Sequence, residues 1–139
     1  MQYWLIKSEP SEISIDDMAG FPKQTIEWFG IRNYQARNFL RTAKKGDIAL
    51  IYHSGDVKAA VGIAKVIKEA YPDIDPEGGD WVQIDIAPVE ALDHPVELKT
   101  IKATKELLDM PLIKQSRLSV MPISKVHYDK VVKLSKLKG

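Results

Sequence analysis

The chain has 139 residues, 45% of them hydrophobic and 28% charged, and its 20 Lys and Arg against 19 Asp and Glu leave a net charge of +1. That length suits a single domain, residues 1–139, with a core that needs no staple. Cysteine is absent, which excludes disulfide frameworks, thiolate zinc sites and a Cys nucleophile, and no apolar run approaches the ~18 residues of a membrane helix.

Tyr3-Trp4-Leu5-Ile6 is a short apolar run with aromatic and β-branched members, and reads as a buried strand ended by Pro10. Ser11 and Glu12 ahead of Ile13, Ile15 and Met18 predict a short helix ending near Gly20, and Gly20-Phe21-Pro22 a turn. Gln24 to Phe29 reads as a short strand broken by Gly30. Asn33 to Lys45 is the clearest helix: Asn33 is a good N-cap, Ala36, Phe39, Leu40 and Ala43 form an apolar stripe, and Arg37, Arg41, Lys44 and Lys45 lie on another face. Gly46-Asp47 closes it and opens a strand from Ile48 to His53. Ser54-Gly55-Asp56 reads as a hairpin turn into a returning strand, Val57 to Ile67, with Gly62 a bulge or a site of close approach.

Tyr71 to Asp80 holds two Pro, two Gly and four acids, and reads as a loop. Trp81 to Val89 alternates as a half-buried strand, with Trp81 expected in the core where the strand opens. Val96 to Leu98 is a candidate short strand, and Thr100 to Met110 a helix ahead of Pro111. Leu118 to Met121 is an apolar run before Pro122. Ser124 caps a last helix carrying Val126, Val131 and Leu134. Strands that mostly connect directly imply an α+β fold: a mixed, mostly antiparallel sheet curled into a small barrel and surrounded by several short helices.

The charges are segregated. Ile31 to Lys45 carries five bases and no acid, Pro72 to Glu97 eight acids and no Lys or Arg, and Lys99 to Gly139 ten bases against three acids. If the basic segments meet in space they form a positive face for a polyanion. The acidic loop is expected to be solvated, or else to repel a nucleic-acid backbone and fix its orientation.

Enzymatic constellations are thin. His53, His94 and His127 have no metal-ligand spacing, so no metal and no cofactor are expected. No phosphate-cradling or nucleophile-elbow glycine motif is present. Ser54 beside His53 does not make a nucleophile and base, because strand neighbours point to opposite faces. Glu9 has no visible partner, and no residue is assigned a catalytic role. Trp28 to Arg41, WFGIRNYQARNFLR, is richer. Its aromatic faces can stack on bases, Asn and Gln can read base edges, and Arg can hold phosphate beside a helix N-terminus.

Four motifs in order resemble EVE domains. Tyr3-Trp4-Leu5-Ile6-Lys7-Ser8-Glu9-Pro10 resembles their YWLxKSEP signature, and Trp28 to Asn38 their WxGxRNxQARN signature. Gly46-Asp47 through Tyr52-His53-Ser54 resembles their GDxxxxYHS strand, and Arg117-Leu118-Ser119-Val120-Met121-Pro122 their RLSVxP segment. The resemblance implies a PUA-like twisted barrel, a relation to YTH domains, and binding of a modified base of DNA or RNA, flipped into a pocket of the protein. By that resemblance Trp28 is the stacking wall, just before the backbone amides of Gly30 and Ile31. Lys7, Ser8, Tyr52, His53 and Ser54 line the rim, Arg117 and Ser119 the far side, and Tyr71 is the candidate second aromatic of the cage. Asn33, Ser8 and Ser54 make edge or amide contacts, while Arg32, Arg37 and Arg41 hold phosphates.

The expected partner is therefore nucleic acid carrying a modified base, with no membrane, and possible association with restriction or RNA-modification systems. Residues 1–10 lack a basic-then-apolar pattern, so no signal peptide is expected and the cytoplasm is the expected location. Two other classes stay open. One is a ribonuclease-like RNA-processing enzyme on a related ASCH-like scaffold, with Lys7, Tyr52 and His53 as acid and base groups. The other is a sensor of a free modified nucleoside.

Overall fold

The computed structural model describes residues 1–8, 33–55, 57–74, 76–115 and 118–136, and the backbone of residues 26–28. The helix expected between Ser11 and Gly20 lies outside the described residues. Among the described residues there are six strands: β1 (Tyr3–Ser8), β2 (Ile26–Trp28), β3 (Ile48–His53), β4 (Ala59–Pro72), β5 (Val82–Glu97) and β6 (Val120–Ile123). They form one sheet in the order β2-β5-β4-β3-β1-β6. β1 runs parallel to β3, and every other neighbouring pair is antiparallel. The sheet is mixed and mostly antiparallel, as the sequence implies. It is not the closed barrel expected: among the described residues β2 and β6 are its edges, and with three and four residues they offer little ladder to zip shut.

β1 and β3 sit side by side inside the sheet and are buried on both faces, which is why their sequences, YWLIKS and IALIYH, are nearly continuous apolar runs. Adjacent residues on β1 point to opposite faces. Trp4 meets the ring of Phe39 edge-on, centroids 6.2 Å apart, on the face covered by α1 (Tyr34–Thr42). Tyr3 meets Tyr128, centroids 4.8 Å apart, on the face covered by α4 (Lys125–Lys136). At the start of both strands the buried Asp47 gathers three donors: Trp4 Nε1 at 3.0 Å, the Lys44 amide at 2.9 Å and the Gln2 amide at 3.1 Å. A buried carboxylate needs such partners, and here they tie α1's exit to the first strand.

α1 begins as expected, with Asn33 Oδ1 accepting from the Ala36 amide at 2.9 Å. It ends at Thr42 rather than Lys45, because Ala43 is already extended. α4 is capped reciprocally: the Ser124 hydroxyl accepts from the His127 amide at 3.0 Å, and the Ser124 amide donates to His127 Nδ1 at 3.2 Å. This is a capping box with His in the place of Glu. His127 Nε2 then reaches Asp109 at 2.8 Å.

Three expectations are corrected between β4 and β6. β4 runs on to Pro72, so Tyr71 lies on a strand and not in a loop. β5 is one strand of 16 residues that passes through Pro88 and Pro95 and absorbs Val96, with Leu98 starting a helix. Proline cannot donate to a ladder. Here the β4–β5 register shifts at Ile63/Ala64, beside Pro88's partner, and at Ala60/Gly62, opposite the stretch holding Pro95, so the prolines sit at irregularities. Gly62 adjoins one of these shifts, the bulge expected of it. The single helix expected over Thr100 to Met110 is instead α2 (Leu98–Lys102), a 3-10 turn at Lys105–Leu107 and α3 (Pro111–Lys114). The Thr104 hydroxyl takes the Thr100 carbonyl at 2.7 Å at the first break, and Pro111 starts the second helix.

Candidate nucleic-acid interface

The first group of predicted site residues lies where β1 and β3 end together. Lys7 pairs with Tyr52, and Ser8 with His53. Beyond them the Ser54 amide donates to the Ser8 carbonyl at 2.9 Å, and its hydroxyl to the same oxygen at 3.4 Å. The Lys7 amide donates to the Ser119 carbonyl at 2.8 Å, which draws the entry to β6 into the group. Thus Lys7, Ser8, Tyr52, His53, Ser54 and Ser119 converge, although they come from three distant stretches of sequence. Alternation splits them: Ser8 and His53 face the α1 side, Lys7 and Tyr52 the α4 side. Ser8, His53 and Tyr52 are almost wholly buried. Burial pushes the Lys7 ammonium below its ordinary pKa and the Tyr52 hydroxyl above its own, because a dry setting disfavours the charged form of either.

The second group lies on α1 and the segment leading into β5. Arg37 Nη1 and Arg41 Nη2 each reach a different oxygen of the Asp80 carboxylate at 2.6 Å, and Arg41 also takes the Asp80 carbonyl at 3.1 Å. The hydrogen bond from Arg41 holds the Asp80 carboxyl below the usual carboxylate range, with the nearby charges of Arg37 and Arg41 adding to it. Arg37 is further fixed by Asn38 Oδ1, at 3.2 Å from Nε and 3.0 Å from Nη2. Tyr34 stacks on Trp81 with centroids 5.1 Å apart and planes 27° apart, and the Arg37 guanidinium carbon lies 5.0 Å from the Tyr34 ring centre. Asp80, the last acid of the acidic segment, is therefore clasped by the basic helix. Trp81 is half-buried in this stack rather than part of the core.

The remaining residues divide as follows. Trp28 is on β2, its backbone paired with Ile84; its side chain, with Gly30, Ile31, Arg32 and Arg117, lies outside the described residues. Tyr71 pairs with Gln83 at the far end of β4 from Ala59, the partner of His53. The sheet register places Tyr71 at the end of the sheet that carries Trp28, and away from the Lys7–Ser54 group. Its hydroxyl donates to Asp85 at 2.7 Å, and Lys68 Nζ lies 4.0 Å from its ring centre. Asn33 spends its Oδ1 on the helix cap. His94 is on β5. Among the described residues no cluster of three His, Asp or Glu is placed to hold a metal. A surface depression of about 570 Å³ opens at the other end of β1 and β3, beside Gln2, Lys44 and Asp47, where Asp47 is already hydrogen-bonded. Tyr34 and Asp80 join this second group although neither is among the sequence-predicted site residues; an aromatic directly after an N-cap, at the head of a basic helix, is the available clue for the first.

A family model described as the EVE domain matches residues 2–134. The chain belongs to the EVE family. This EVE domain is 35% identical to thymocyte nuclear protein 1 of Mus musculus over 164 positions, covering 95% of this chain and 73% of that protein. A crystal structure of a protein from Agrobacterium tumefaciens matches it with a TM-score of 0.89 at 39% identity, covering 97% of this chain and 93% of that one. The crystal structure of human THYN1 in complex with DNA containing 5-methylcytosine matches it with a TM-score of 0.88 at 32% identity, covering all of both chains.

Proposed function

We propose that this EVE domain is a non-catalytic reader of a modified base in DNA, taken out of the duplex and held in a pocket. The observation that carries this reading is the likeness, over the whole chain, to human THYN1 in complex with 5-methylcytosine DNA. The polar group at the ends of β1 and β3 supports it, since buried hydroxyl, imidazole and backbone groups converging at one edge are the kind of wall a base edge needs. Trp28 is the stacking face, with Gly30 and Ile31 supplying amides. Ser8, Ser54, Asn33 and Ser119 read the base edge, and Lys7, Arg32 and Arg117 hold the rim or backbone. The overall form is a PUA-like one. Flipping a base costs a few kcal/mol, and stacking worth about 1–3 kcal/mol together with phosphate contacts offsets it.

The test is a titration followed by tryptophan fluorescence, using matched DNA and RNA strands with unmodified, 5-methyl- or 5-hydroxymethylcytosine, or methylated adenine. Quenching confined to one modified cytosine in DNA is the expected result. Equal response to every strand would demote the pocket to a general nucleic-acid surface, and a response to RNA alone would move the reading to RNA.

A further inference from the structure

We infer that Tyr34, Arg37 and Arg41 form a second nucleotide site outside the base pocket, for an unpaired nucleotide flanking the read base, and that Asp80 occupies its phosphate position in the free protein. This rests on the reading that the domain binds DNA. Two arginines one helical turn apart present one Nη each to the two oxygens of a single carboxylate, both at 2.6 Å. A phosphodiester offers the same pair of charged oxygens to the same donors. The carboxylate they hold is 71% exposed, so it is displaced from the solvent side with no core disturbed. Directly beside it Tyr34 is 67% exposed. Its ring is backed by Trp81 and flanked by Arg37, which makes a rigid platform rather than a loose side chain. An open aromatic face next to two guanidinium groups matches what a single-stranded nucleotide needs: a surface for its base and a grip for its phosphate. A solvated salt bridge alone explains the arginines but leaves a large exposed aromatic fixed on top of them.

Asp80 then acts as an internal competitor. DNA must displace it, so the free domain is shielded from indiscriminate backbone binding at this face. Position supports the pairing with the base site, because α1 starts six residues after Trp28.

The test uses the full chain with a short unmodified single strand, a modified strand and free 5-methyldeoxycytidine, across a salt series. Asp80→Asn keeps the side-chain shape and removes the competitor. It is expected to bind both strands severalfold tighter, with a salt slope steeper by about 0.7 per phosphate gained. Tyr34→Ala is expected to weaken both strands about tenfold, while Tyr34→Phe stays near wild type. Neither Asp80→Asn nor Tyr34→Ala should change binding of the free nucleoside. Unchanged affinity and slope in Asp80→Asn, or strand affinity unchanged in Tyr34→Ala, overturns the inference; so does an equal effect on nucleoside and strand, which would assign these residues to the pocket. A wild-type domain that binds strands without preferring the modified base removes the base-reading proposal and leaves this site standing. One that binds no strand at low salt removes both.

Discussion

Asp47 lies in a stretch shared with EVE signatures, yet its contacts are architectural, and removing them should cost stability rather than selectivity. Its Oδ2 accepts from the buried Trp4 indole and the Lys44 amide, and its Oδ1 from the Gln2 amide. In Asp47→Ala the indole N–H is stranded in the core, a cost of about 1–3 kcal/mol. The two partly buried amides recover part of their loss from water and add about 0.5–1 kcal/mol each, so the sum is about 3 kcal/mol. Asp47→Asn keeps an oxygen toward Trp4 and Lys44 and loses the bond to Gln2, for about 1 kcal/mol. Urea unfolding followed by circular dichroism measures both, against a total stability of about 5–15 kcal/mol. Trp4→Phe combined with Asp47→Ala should cost about 1 kcal/mol less than the two singly, since the same bond is removed twice. A loss under about 0.5 kcal/mol in Asp47→Ala, or strict additivity in the double variant, would refute the idea that this carboxylate ties the first strand to the helix exit. Asp47→Asn should also discriminate modified from unmodified DNA as the wild type does.

Trp28→Ala should abolish base preference while far-UV circular dichroism stays unchanged; a variant that simply unfolds places Trp28 in the core. Lys7 titrates below its ordinary value because it is half-buried, so its grip on a strand should fade on the alkaline side at a pH below 10.5. Lys7→Arg should hold DNA to higher pH, and coincident pH profiles of the two proteins would argue against contact with the strand. The hydrogen bond from His127 is the main reason the Asp109 carboxyl sits below its reference value of 3.8. Its contribution to stability is therefore complete above that value and is lost as pH falls through the lower, folded one. The stability gap between wild type and Asp109→Asn should thus be constant at neutral pH and close only in the acid range, as pH falls below 3.8, and a gap that has already closed above that value would refute the role of the carboxylate.

Local patterns were legible wherever local physics decides. The Asn33 and Ser124 caps, the apolar stripe of α1 and the buried runs of β1 and β3 follow from hydrogen-bond supply and burial over a few residues, and the structure repeats them. The sequence pattern ends the strand at Val89 because the alternation of Val82, Ile84 and Ile86 stops there, and only pairing with β4, whose register shifts opposite the stretch holding Pro95, shows the strand running on to Glu97. Trp81 was misplaced because a strand's first aromatic is ordinarily core, whereas its partner here is Tyr34 across the chain. The clasp of Asp80 by Arg37 and Arg41 joins residues some forty positions apart, with no periodicity to announce it. The convergence of Lys7, Tyr52 and Ser119 was legible only through the family signatures, since parallel pairing leaves no local trace in either strand.

The placement of β1 has a consequence for synthesis. β1 is held between β3, its parallel partner, and β6, which is made long after it. Its aromatic residues cannot be sealed on both sides until β6 has been made. Folding should therefore be slow for a domain of this size, since its central pairings are among the most distant in sequence. The stretch Tyr3-Trp4-Leu5-Ile6 would meanwhile wait as an unpaired apolar strand, the kind of segment most prone to aggregate.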